Sequence, residues 1–140
     1  MHRILMPVDH SEERARSQVN YVKTLPNASD AVEVKLLHVF DDEDSLDPSN
    51  DESARDPDTI PSVAQTKTAL EESDIDYEVL RDRHDVVTAI VDQATEHDVD
   101  AIVLGGRKRS PAGKVLFGSI TMSVLRNTAI PVVVTGELER

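Results

Sequence analysis

The sequence predicts a single α/β domain built around a parallel β-sheet. Five short apolar runs rich in β-branched residues alternate with longer segments whose apolar residues recur at the helical period. The order βαβαβαβαβ implies right-handed crossovers and therefore parallel strands that are covered by helices. The chain has 140 residues and is 39% hydrophobic, a size and composition that suit one core.

The five predicted strands differ in how deeply they should be buried. The third alternates polar and apolar residues, as a strand at the edge of a sheet does, and the fourth is a continuous apolar run, as expected for burial on both faces. The predicted strands are residues 3–8 (RILMPV), 32–40 (VEVKLLHVF), 76–81 (DYEVLR), 100–104 (DAIVL) and 131–135 (PVVVT).

Helices are predicted at residues 11–25, 61–73, 85–97 and 119–129. Pro61 suits a first helical turn, and Asp85 and Ser119 are residue types that cap helix N-termini. In the last helix, Ile120, Val124 and Leu125 are expected to face inward.

Residues 41–60 (DDEDSLDPSNDESARDPDTI) interrupt this alternation between the second strand and its helix. They contain nine acidic residues and one basic residue, and so carry −8 of the formal net charge of −12. The segment has no apolar periodicity, which predicts a mobile acidic insertion within the single domain 1–140. Its role is left open by the sequence.

Composition also excludes several function classes. The chain has no cysteine, which excludes disulfides, thiolate catalysis and cysteine-bound metals. A broad basic face for nucleic acid is not expected at this net charge. The apolar run at the N-terminus is too short for a signal or membrane segment, so we expect a cytoplasmic protein with no membrane partner. Ten Arg against five Lys, with abundant Asp, suit a high-salt cytoplasm.

The segment 105–119 (GGRKRSPAGKVLFGS) reverses the sign of the surrounding charge. It holds four of the 15 basic residues beside glycines, and it runs from the fourth strand to the start of the last helix. Backbone amides next to cations are typical of phosphate sites.

Topology predicts what faces this loop. In a doubly wound sheet, ligands bind at the carboxyl ends of the strands where the winding direction reverses. The first strand ends at Pro7-Val8-Asp9 and the fourth at Leu104-Gly105. If these strands are neighbours at the switch point, Asp9 and the Gly105 loop line one crevice, with Val39 as an apolar wall for a flat base. A nucleoside phosphate matches this combination of groups.

Each of these residues also has a purely structural interpretation. Asp9 could be only a helix cap, Gly105 could only permit a turn, and the loop cations could be ordinary solvated charges. The sequence contains neither G-x-x-x-x-G-K-[ST] nor a G-x-G-x-x-G after the first strand, which removes the common phosphate-loop and dinucleotide fingerprints.

Three stretches together resemble the universal stress protein family over essentially the whole chain. ILMPVDHSEERARSQ is similar to the opening strand, aspartate and first helix of that family, and AIVDQATEHDVDAIVLGG is similar to its third helix and fourth strand. The loop resembles the ATP-binding motif G-x2-G-x9-G-[ST] of the family. One position departs, because Lys108 stands where the motif has its second glycine.

The resemblance implies a Rossmann-like sheet with strand order 3-2-1-4-5 and a homodimer formed through the last strand, from Pro131 to Thr135. An exposed apolar edge favours such a partner independently. The resemblance also implies that ATP or a related adenine nucleotide is bound. Whether Mg²⁺ accompanies the nucleotide is left open. The predicted nucleotide-binding residues are Pro7, Val8, Asp9, Val39, Leu104, Gly105, Arg107, Lys108, Gly118, Ser119, Ile120 and Thr121.

Three functional hypotheses follow. The first is a dimeric cytoplasmic stress-response or signalling protein that binds an adenine nucleotide. The second is a nucleotide-free interaction module of the same fold, since the family includes members that do not bind ATP. The third is a slow nucleotide hydrolase, for which no positioned base or magnesium ligand set is visible. The physiological stimulus, the protein partners and any higher oligomeric state are not indicated.

Overall fold

One sheet of five parallel strands organises the chain. The computed structural model describes residues 1–40, 56–83, 85–106 and 117–136. The strands are β1 (His2–Pro7), β2 (Val32–Phe40), β3 (Asp76–Arg83), β4 (Ala101–Gly105) and β5 (Val132–Thr135). They lie in the order β3-β2-β1-β4-β5, which confirms the predicted fold class and strand order.

The described residues form five α-helices that connect or follow the strands: α1 (Glu12–Lys23), α2 (Ala28–Ala31), α3 (Pro61–Glu72), α4 (Val86–Glu96) and α5 (Ser119–Asn127). The one-turn helix α2 was not predicted, because four residues are too few to show a helical period. A 3₁₀ helix at Pro57–Thr59 was likewise missed. It ends the predicted acidic insertion, of which residues 41–55 lie outside the described residues.

The sheet buries an apolar cluster on each face. The first cluster joins Ile4 and Met6 of β1 to residues of α1 and α3, whereas the second joins Leu5 of β1 to α4 and α5. The alternation along β1 is what a two-residue side-chain period produces in a strand that is covered on both sides. Asp85 caps α4 through the amide of Thr88, as predicted.

Helices α3 and α4 end in the same way. Asp74 and Asp98 take left-handed backbone conformations (φ 55° and 51°), and the following Ile75 and Val99 are buried. The amide of Ile75 donates to the carbonyl of Leu70, and the later turn repeats this pattern. These bonds form Schellman closures in which an aspartate takes the place of the usual glycine. Each closure turns the chain into the next strand, and so positions β3 and β4.

Two expectations for the last helix were wrong. Gly118, not Ser119, is the N-cap: its backbone is extended (φ −70°, ψ 166°), and Ser119 is already the first helical residue. Ile120 and Leu125 are exposed (46% and 41%), whereas Val124 is fully buried. The stripe that contacts the core passes through Thr121 and Val124, three residues apart, and leaves Ile120 and Leu125 on the outer flanks.

Candidate functional site

The central strand β1 and its neighbour β4 separate at their carboxyl ends, and this opening is called the fork below. Strands β1 and β4 are paired at Ile4–Ala101 and at Leu5–Ile102. Beyond these pairs, the buried side-chain amide of Gln18 bridges the strands, because its Nε2 donates to the carbonyls of Pro7 (2.7 Å) and Val103 (2.9 Å). One α1 side chain therefore satisfies backbone groups on both sides of the fork.

A cavity of about 280 Å³ lies at this end of the sheet. Its volume is close to the lower limit of small-molecule sites, roughly 300 Å³. Ten of the predicted binding residues line it: Pro7, Val8, Asp9, Val39, Leu104, Gly105, Gly118, Ser119, Ile120 and Thr121. The other two, Arg107 and Lys108, lie outside the described residues. The structure thus brings the ten together, and their role in binding a nucleotide stays a prediction.

Asp9 is held at the cavity by two local hydrogen bonds. Its Oδ1 accepts from the amide of Ser11 (2.8 Å), and its Oδ2 accepts from Nε of Arg14 (2.9 Å). The N-cap of α1 is Ser11, whose hydroxyl accepts from the amide of Arg14, so Asp9 is not simply the helix cap. Each carboxylate oxygen can accept a second hydrogen bond, and the side chain is 54% exposed. A ligand hydroxyl or amino group can therefore reach it.

Gly105 is required by the close approach of α1. A Cβ built on this residue would lie 2.8 Å from Cβ of Arg14, a distance that real Cβ atoms essentially never show. The residue therefore lets helix and strand end meet, and it leaves unobstructed backbone at the cavity wall. Packing, rather than a positive φ, explains this glycine.

His38 lines the cavity and supports the residue that follows β1. It is buried, and because its Nδ1 lies 2.8 Å from the carbonyl oxygen of Val8, that nitrogen donates. Its ring makes edge contacts with the rings of His10 and Phe40, at centroid distances of 5.1 and 4.8 Å. These contacts hold the Val8–Asp9 turn against the end of β2.

The start of α5 presents backbone amides to the cavity. Helices α1 and α4 use Ser11 and Asp85 as side-chain caps, but Gly118 has no side chain to cap α5. Within the described part of the chain, no side-chain cap satisfies the first amides of this helix. A helix N-terminus of this kind favours an anion, through its N–H groups and its dipole.

An apolar wall lines part of the cavity. It is formed by Leu37 and Val39 of β2, Val86 and Ile90 of α4, and Leu104 of β4. Leu37, Ile90 and Leu104 are buried, whereas Val39 and Val86 are half-buried. The cavity thus combines this apolar wall with a carboxylate, Asp9, and a guanidinium, Arg14.

Sequence reasoning missed seven lining residues: His10, Arg14, Gln18, Leu37, His38, Val86 and Ile90. A signal existed for Gln18, which is a polar residue inside the buried helical stripe of Ala15, Val19 and Val22. His38 similarly interrupts an apolar strand. Val86 could be placed only once the packing of α4 was known.

Neither a metal site nor a membrane span is found in the described residues. No group of three or more His, Asp or Glu side chains in residues 1–40, 56–83, 85–106 and 117–136 could hold a metal ion. Among the helices in those ranges, none is long and apolar enough to cross a bilayer.

A family comparison identifies the chain. Residues 1–136 match the model of the universal stress protein family. The chain belongs to this family. A comparison with curated proteins gives no significant match.

Solved structures of the family share this fold. A universal stress protein from Archaeoglobus fulgidus is 27% identical, with 96% of this chain and 98% of that chain covered and a TM-score of 0.68. One from A. fulgidus in complex with dAMP is 20% identical (96% and 98% covered, TM-score 0.64). An Arabidopsis thaliana family protein with AMP bound is 17% identical (98% and 92% covered, TM-score 0.65). The likeness to the dAMP and AMP complexes, at 20% and 17% identity, establishes the fold alone.

Proposed function

We propose that this protein binds an adenine nucleotide in the cavity at the carboxyl ends of β1, β2 and β4. The observation that carries the proposal is the presence, in one cavity, of an apolar wall and of a polar rim formed by Asp9, Gly105 and the uncapped start of α5. A nucleotide has the same division into a flat base and a polar sugar phosphate. The site also lies where doubly wound sheets bind their ligands.

Each part of the nucleotide has a matching surface. The base packs against Val39 and the neighbouring apolar side chains, which exclude water from its faces. The carboxylate of Asp9 accepts from a ribose hydroxyl. The amides of Ser119 and Ile120 then receive the phosphate at the N-terminus of α5.

Relatives support the choice of adenine. Universal stress proteins of the same fold hold dAMP and AMP in their structures. We extend the proposal to ATP, with or without Mg²⁺, because the basic residues 107–109 follow the cavity residue Gly105 by only two to four positions in the sequence. Any hydrolysis is expected to be slow.

Isothermal titration calorimetry tests this function. AMP and ATP are titrated into the full chain, with and without Mg²⁺, and into Gly118→Val, which places a branched side chain at the cavity wall. We expect saturable binding by the wild type and at least a tenfold weaker affinity in the variant. Arg126→Ala, at the far end of α5, is the control. Absence of binding at millimolar nucleotide would contradict the proposal and favour the nucleotide-free interaction module.

We also propose that the protein works as a cytoplasmic homodimer in a stress or signalling response, paired through β5. This strand lies at the sheet edge, and its three valines are only half-buried. The carbonyls of Pro131 and Thr135 accept from the amides of Ile102 in β4 and of Gly106 just after it, so the alternation of the strand directs the amides of Val132 and Val134 away from β4. Those amides are positioned to pair with a second copy.

Proline substitution tests the dimer. Val134→Pro removes an outward-facing N–H and leaves the hydrogen bonds to β4 in place, as edge strands tolerate. Val134→Ala keeps that N–H and serves as the control. We expect a dimer for wild type and for the alanine variant, and a monomer for the proline variant, by size-exclusion chromatography with light scattering. A monomeric wild type would contradict the proposal.

A further inference from the structure

We infer that Arg14 selects for the phosphate group of the ligand, and that Asp9 holds the arginine in place for this task. The inference rests on the proposed nucleotide function and names the group that this part of the site recognises. Arg14 lies in the first turn of α1 and lines the cavity. Among the described residues, it is the one lysine or arginine that does so.

The hydrogen bond between the two side chains leaves most of the guanidinium available. Asp9 Oδ2 accepts from Nε of Arg14 at 2.9 Å. A guanidinium carries five N–H donors, four of them on its two terminal amino groups. No hydrogen bond from those amino groups to another described residue accompanies the Nε bond, and the side chain is 39% exposed. It can therefore donate in a forked manner to a phosphate oxygen pair.

Packing fixes the base of this side chain. A Cβ built on Gly105 would lie only 2.8 Å from Cβ of Arg14. The aliphatic part of the arginine side chain therefore begins directly against the end of β4. With the stem held by Gly105 and Nε held by Asp9, the terminal amino groups lose little additional freedom when a phosphate binds.

Charge explains why an arginine is needed there. Asp9 carries a negative charge at the cavity, and the chain as a whole carries −12. Both oppose the entry of a phosphate dianion. Arg14 offsets the charge of Asp9 and adds charge-assisted hydrogen bonds, whereas an uncharged ligand such as adenosine would gain nothing from it.

The test compares AMP with adenosine in calorimetric titrations of the full-length wild type, Arg14→Gln, Arg14→Lys and Arg16→Gln. Arg16 is exposed on the same helix and does not line the cavity, so its variant is the matched control. We expect the ratio of AMP affinity to adenosine affinity to fall by about 10- to 100-fold in Arg14→Gln. This is the effect on affinity expected from the loss of one or two charged hydrogen bonds. Adenosine affinity should change less than about threefold. The affinity ratio of the lysine variant should be intermediate, since lysine keeps the charge but cannot donate two parallel hydrogen bonds.

The possible results distinguish a failure of the proposed role of Arg14 from a failure of nucleotide binding itself. If Arg14→Gln weakens AMP and adenosine equally, Arg14 only supports the site structurally and the inference is wrong, while nucleotide binding stands. An unchanged affinity ratio overturns it in the same way. If neither ligand binds the wild type, the proposed function fails and the inference with it. Circular dichroism verifies folding, and the lysine variant decides the matter if the glutamine variant does not fold.

Discussion

Gly105 and Arg14 meet so closely that the glycine cannot carry a side chain without a shift: an added Cβ would lie 2.8 Å from the arginine Cβ and 3.4 Å from its carbonyl oxygen. Strand β4 and helix α1 are thereby locked together at the edge of the cavity. A single contact thus links the packing of the core to the shape of the candidate site.

Gly105→Ala should therefore destabilise the fold. The obstructing atoms are the backbone and Cβ of Arg14, not a flexible side-chain end, so the helix must move. We expect a loss of about 1–3 kcal/mol in the free energy of unfolding, the usual range for overpacking, in urea denaturation. Gly136→Ala is the control, because a Cβ there meets nothing within 4 Å. Equal stabilities for the two variants would show that β4 and α1 are not tightly packed.

Gln18 offers a second test of the fork between β1 and β4. Gln18→Ala leaves the carbonyls of Pro7 and Val103 without their donor and opens a small void. Since buried, unsatisfied polar groups cost about 1–3 kcal/mol each, we expect a destabilisation of at least that size by thermal or urea unfolding. Gln65→Ala removes one exposed bond to the carbonyl of Glu12 and should cost far less. A Gln18 variant as stable as the Gln65 variant would contradict the bridging role.

Acid should weaken an ion pair between β2 and the edge strand β3. The pKa of Glu78 is lowered mainly by the hydrogen bond from Lys35 Nζ (2.6 Å), and the pKa of Lys35 is raised above 10.5 by its bonds to Glu33 and Glu78. A carboxyl with a lowered folded pKa stabilises the fold above its unfolded value, near 4.5, and this contribution disappears as the pH falls through the folded pKa.

Glu78→Gln should therefore lower stability by about 0.2–1 kcal/mol at pH 7, as is typical of exposed pairs, and the difference from wild type should shrink at pH values below 4.5. Urea midpoints across pH 3–7 measure this. Glu72→Gln, at the exposed end of α3, controls for the lost charge. A difference that does not depend on pH would show that the pair does not act through ionisation.

The sheet could be predicted from the sequence because each strand and helix carries a strong local period. Residues 32–40 were predicted with the bounds that the structure shows, and Pro61 and Asp85 marked two helix starts correctly. The N-cap of α5 was predicted one residue too late, at Ser119 instead of Gly118, because serine and glycine both occupy N-cap positions and only the backbone angles of Gly118 distinguish them.

The crevice was predicted through topology, whereas its remaining walls were not. Asp9 and Gly105 follow strand ends, and the switch in winding direction brings such ends together. Arg14 and Ile90 belong to helices that the sequence placed only as part of an apolar cover. Their arrival at the cavity depends on helix packing angles, which no local pattern encodes. Arg107 and Lys108, central to the sequence argument, lie outside the described residues.

An NMR titration locates the nucleotide on the protein. AMP is added to ¹⁵N-labelled protein, and amide shifts are followed residue by residue. We expect saturable shifts concentrated at Asp9, Val39, Gly105 and residues 118–121, with little change at Tyr77 on the edge strand β3. Absent shifts, or shifts concentrated on β3 or β5 instead of the cavity, would contradict it.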